Sequence, residues 1–212
     1  ENARTYHMLI KMLPKPEKGL LLDLLQLLAL SDNPILWDGK RYDELTSDTD
    51  LSKLSIQVDE LERELISDLE RSSGQSLRGS SSVVGVLAGM RAGGLKSGKA
   101  PTSIVEEQLI AELKTFPIHK MELPETRVAA AKAVLDKLLE DQSKDRPEPP
   151  KIMLFDMILL ALRDGSISSI ERELLKAFQH HYQIQDFIFE ELLDRAEALN
   201  SEVSKTIALV LE

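Results

Sequence analysis

Apolar residues recur at three- and four-residue spacing along nearly the whole chain, the period of an α-helix. Thr5–Leu13 is a short apolar start, stopped by Pro14 and Pro16. Lys18–Ser31 contains GLLLDLLQLLALS, apolar on nearly every face, which predicts a central, buried helix. Asp43–Thr46 reads as a helical turn. Ser55–Arg71 is amphipathic, with Ile56, Leu61, Leu65 and Leu69 on one side and Asp59, Glu60, Glu62, Arg63 and Glu64 on the other. Ile104–Thr115 and Pro124–Asp141 follow as helices, with Pro124 suited to a first turn. Ser143–Pro150 (SKDRPEPP) is a polar, Pro-rich linker. Lys151–Arg163 is a second strongly apolar helix, and Ser168–Tyr182, Gln185–Ala198 and Ser201–Leu211 complete the series. Sustained strand alternation is missing; SSVVGVLAG is one short candidate. The expectation is an all-α domain of about seven to nine helices.

Two stretches match closely: LLALSD at 27–32 and LLALRD at 159–164. An echo follows each, since Ile56-Gln57 and Ile184-Gln185 both open amphipathic segments. Each half then reads as a buried helix ending in Asp, an acidic loop, further helical structure and a last amphipathic helix. A repeated order of features marks one structural unit used twice. The halves are residues 1–70 and 106–212, separated by an insertion at 71–105.

Both repeats end in acidic turns. The second, Asp164-Gly165-Ser166-Ile167-Ser168-Ser169-Ile170-Glu171, matches the last eight positions of a calcium-binding EF loop. The first and third ligand positions of such a loop would be Leu160 and Leu162, which offer no side-chain oxygen, so a standard EF-hand is excluded. Capping accounts for the same residues: Gly165 ends one helix, Ser168 caps the next and Glu171 closes a capping box. The first turn is looser and holds Asp32, Asp38, Asp43 and Glu44.

The motifs LLALSD…WDGKRYDE and LLALRDGSISSIERE, within 20–70 and 125–199, resemble the TerB-like (tellurite-resistance protein B) superfamily. The resemblance implies a helical domain with an acidic patch thought to bind divalent cations. It also implies a place in stress-response or membrane-associated assemblies, without an established enzymatic activity. Carried over by position, it points to Asp32, Asp38, Glu44, Asp164 and Glu171. Their oxygen ligands would suit Ca²⁺ or Mg²⁺. Capping and ligation both remain open for these residues.

Composition narrows the classes. The chain of 212 residues is 42% hydrophobic but only 4% aromatic, so its core is aliphatic. It has no cysteine, which removes disulfides, thiolate metal sites and Cys nucleophiles together. A net charge of −10 disfavours nucleic acid and favours cations or basic partners. No apolar run reaches the roughly 20 residues of a membrane span, and no signal peptide is visible. The chain opens at Glu1 without an initiator Met, which leaves room for an upstream piece. The expected location is cytoplasmic, with membrane association as an option.

Residues 71–105 contain no Asp or Glu and carry Arg71, Arg78, Arg91, Lys96 and Lys99. Within them, GGLKSGKAPT imitates a phosphate-binding G-x-x-x-x-G-K-[ST] loop. Ala100 stands where the magnesium-binding hydroxyl belongs, Pro101 and Thr102 stand where a helix should be running, and no parallel sheet surrounds it. No nucleotide is expected. The segment reads either as a surface loop or as a contact with a protein partner or a lipid surface, through Arg78, Arg91, Lys96 and Lys99. No catalytic constellation is visible. The histidines at 7, 119, 180 and 181 are scattered, and adjacent His180 and His181 point about 100° apart on a helix. The sequence therefore predicts a non-enzymatic interaction module with a cation-binding acidic patch. A metal-independent adaptor acting through the insertion is the alternative.

Overall fold

A computed structural model describes residues 12–58, 103–140 and 150–211. Among them are six α-helices: α1 (Lys15–Ser31), α2 (Ile104–Leu113), α3 (Pro124–Glu140), α4 (Pro150–Ala161), α5 (Ser169–His181) and α6 (Asp186–Leu211). A two-stranded sheet, β1 (Ile35–Trp37) and β2 (Leu54–Ile56), completes the described elements. The described residues are mostly helical, as the periodicity predicts; six α-helices lie among them, against seven to nine expected for the whole chain.

The central helix is where the pattern puts it. Eight leucines between Leu20 and Leu30 are each no more than 3% exposed. Helix α1 packs on α2, α3, α4 and α5, while α6 rests on α4. An all-round apolar helix is stable only when surrounded, and four neighbours surround this one. Ala130 and Ala131 of α3 are fully buried, and such small side chains admit close helix approach.

Three segments differ from their sequence-based assignment. The predicted helix Ser55–Arg71 does not begin as one, because Leu54–Ile56 is a strand paired antiparallel with Ile35–Trp37, in the register Ile35↔Ile56 and Trp37↔Leu54. The rest of that helix, from residue 59, lies outside the described residues, as do Thr5–Lys11 and SSVVGVLAG. Ile35, Trp37, Leu54 and Ile56 are all buried, whereas Leu36 and Ser55 are half-buried. The alternation is genuine, but three residues per strand are too few to show a period of two. Gln185–Ala198 and Ser201–Leu211 form one helix of 26 residues rather than two. Asn200 and Ser201 are weak helix formers. The Asn200 amide, however, donates to the Leu162 carbonyl at 3.0 Å instead of competing for its own helix backbone. The Ile-Gln echo therefore has two meanings: Ile56 ends a strand, and Ile184 precedes a helix.

Candidate functional site

The end of α1 is built around a buried arginine. Residues 33–34 are Asn-Pro, and Pro34 cannot continue a helix, so the chain leaves α1 with its last carbonyls unpaired along the axis. Arg127, from the first turn of α3 and 3% exposed, supplies the donors. Its Nε donates to Ser31 O at 3.0 Å; its Nη2 donates to Ser31 O at 2.7 Å, Asn33 O at 2.7 Å and Leu30 O at 3.1 Å. A cation here also complements the negative end of the helix dipole. Burial pushes the guanidinium pKa down, and the charges of Glu122 and Asp32 push it back up. Asp32 is exposed and faces a cation, so its charge is already partly balanced.

Asp38 sits in a tight turn directly after β1, which an isolated bridge between Trp37 and Lys40 closes, well before β2 begins at Leu54. Trp37 and Lys40 exchange backbone hydrogen bonds of 2.8 and 3.0 Å around Asp38-Gly39. Both turn residues have positive φ, 51° and 81°, as a type I′ turn requires. The Asp38 carboxylate accepts from Lys53 Nζ at 3.1 Å and, by that bond first and by charge second, pushes the Lys53 pKa up. Glu44 closes the Tyr42–Glu44 3₁₀ turn, accepting from Arg41 N at 2.9 Å.

At the end of α4 the backbone tightens into a 3₁₀ turn, Leu162–Asp164, and Gly165 leaves it at φ 87°. Ser168 then caps α5. Its hydroxyl accepts from Glu171 N at 3.2 Å, and Glu171 Oε2 accepts from Ser168 N at 2.7 Å. This is the reciprocal capping box the sequence signals.

The five predicted ligands are therefore spread over different local tasks. Glu44 and Glu171 bind backbone N–H groups, Asp38 pairs with Lys53, Asp32 lies beside Arg127, and Asp164 belongs to the 3₁₀ turn. Among the described residues no three His, Asp or Glu side chains form a group able to hold a metal ion. Arg78, Arg91, Lys96 and Lys99 lie outside the described residues. His119, His180 and His181 are exposed.

Two features escaped the sequence reading. The first is two carboxyls, one buried and one half-buried, within apolar helices. Asp156, in the middle of α4, is 7% exposed, and neither carboxyl oxygen has a hydrogen-bond partner. Burial alone pushes it up to about 7. Asp23, half-buried on α1, is pushed up to about 6 by the same cause. The signal was present: each is an acid within an otherwise apolar run, LLLDLLQ and MLFDMIL. The second feature is the outer half of α6. Phe189, Leu193 and Ala196 are buried, but no described side chain beyond Ala196 is. Leu199, Val203, Ile207 and Val210 nevertheless continue one apolar stripe at three- and four-residue spacing, with Val210 77% exposed.

No family model, curated protein or solved structure matches the chain. No helix among the described residues is long and apolar enough to cross a membrane.

Proposed function

We propose that the chain is a TerB-like, non-enzymatic helical interaction module that presents the outer half of α6 to a protein partner. The observation carrying this reading is the stripe Leu199–Val203–Ile207–Val210, which runs on past the last buried residue of the helix, Ala196. Along it Val203 and Ile207 are half-buried and Leu199 and Val210 exposed, and amphipathic helices with such exposed apolar stripes are a recurrent recognition element, read through i, i+3, i+4 and i+7 anchors. The opposite face is charged and held in helical form by the pairs Glu191–Arg195 and Glu202–Lys205, both 2.8 Å. Among the described residues, the buried contacts of α6 lie on its inner half, at Phe189, Leu193 and Ala196, with the Asn200–Leu162 bond just beyond them.

The test is capture from a cell extract, followed by titration of the purified captured protein against the wild-type chain and against Leu199→Asp/Val210→Asp. Both positions are exposed, so the double variant should keep the far-UV spectrum and unfolding midpoint of the wild type. A partner that loses at least tenfold in affinity supports the reading. Equal affinity for both chains removes α6 as the contact.

A further inference from the structure

Asp156 occupies a place where a carboxylate is costly. Both oxygens are buried, neither is hydrogen-bonded, and one turn to either side on α4 stand Met153 and Leu159, themselves 0% and 5% exposed. An ionised carboxyl in such a site lacks both water and a partner, whereas the neutral acid is far cheaper to bury. Among the described residues, the charged groups able to answer it are few. On α1 the side chains turned at least partly inward are Glu17, Lys18 and Asp23; on α5 only Glu171, already committed to its cap; beside the 3₁₀ turn, Arg163. Every charged side chain of α6 is exposed. None of these groups shifts Asp156, for which burial is the sole cause.

We propose that Asp156 makes α4 a pH-sensitive latch: the bundle closes on α4 with this carboxyl protonated, and its ionisation loosens α4 from α1, α5 and α6. The sign follows from linkage. The folded value lies near 7 and the unfolded value at 3.8, so the unfolded chain gives up its proton first. Stability is fully present below the unfolded value and is lost as pH rises towards and through the folded one. Ionisation acts at the junction that carries α6, since α6 rests on α4 and on the turn after it.

The experiment is urea unfolding of the full chain from pH 6 to 8.5, above the pI of about 5.0, for wild type, Asp156→Asn and Asp23→Asn. Fluorescence of the single, fully buried Trp37 reports unfolding. Linkage predicts that Asp156 lowers the wild-type folding constant about tenfold over this range, and Asp23 about twofold. Asp156→Asn should abolish the larger fall and Asp23→Asn only the smaller. Parallel profiles for wild type and Asp156→Asn would overturn the latch. A second measurement stands on the wild type alone, in case Asp156→Asn does not fold: an NMR titration of the Asp156 side-chain carbon. A midpoint near neutrality, with faster amide exchange in α4 above it, supports the latch. A midpoint in the ordinary aspartate range overturns it.

Discussion

The hexapeptides LLALSD and LLALRD differ at one residue, yet the chain ends the two helices in opposite ways. LLALSD stays α-helical through Ser31, and its terminal carbonyls are answered from 96 residues away by Arg127. LLALRD leaves the α-helix after Ala161, tightens into a 3₁₀ turn and is closed locally by Gly165, Ser168 and Glu171. The residues that follow decide. Asn33-Pro34 diverts the first end into a strand and blocks local capping, whereas Gly165 permits the left-handed residue that turns the second back into a helix. The first end depends on four hydrogen bonds from a distant arginine, whereas the second is closed mainly by neighbouring residues with one added bond from Asn200 to the Leu162 carbonyl, so they should break by different amounts.

The largest effect falls on the first end. Arg127→Ala leaves buried carbonyls of Leu30, Ser31 and Asn33 unpaired and should cost about 3–5 kcal/mol in urea unfolding. Arg127→Lys should recover little of that, because an ammonium lacks the guanidinium fork. At the second end, Gly165→Ala places a Cβ at φ 87°, with no heavy atom within 4 Å to clash. Its cost is conformational alone, about 1–2 kcal/mol. Ser168→Ala removes half the capping box and should cost about 1 kcal/mol. If Gly165→Ala proves as damaging as Arg127→Ala, the second end is not local. The smallest effect separates capping from cation binding at these turns. Millimolar Ca²⁺ or Mg²⁺ after EDTA should leave Tm unchanged where Glu44 and Glu171 serve as caps. A cation at 100 times its Kd would add about 2.7 kcal/mol, and a rise in Tm of that size would break the capping account.

Much of the architecture was legible because it rests on short-range rules. Helix α1 announces itself by being apolar all round, α3 by Pro124, and the α5 cap by Ser168 and Glu171. The small sheet was not legible: Asp38-Gly39 makes a type I′ turn after Trp37, but the partner strand begins only at Leu54, and strands of three residues are too short to show alternation. Arg127 was not legible. Nothing within α3 says which carbonyls its side chain will meet, because that depends on how α3 lies against α1. The carboxyls of the acidic turns were visible as a group along the chain; in the fold Glu44 and Glu171 accept from backbone N–H groups and Asp38 pairs with Lys53. Asp156 could have been found by asking why an acid interrupts MLFDMIL; the answer lies in burial, which periodicity describes only for apolar residues.

The Asn200 tether has a geometric consequence. Beyond it α6 runs from Ser201 to Leu211, and at 1.5 Å per residue these eleven positions extend about 16 Å. That length exceeds the diameter of a helix and is set by hydrogen bonds internal to one rod. A label at the exposed Val210 would therefore move with the helix axis, as a ruler rather than as a float on a string.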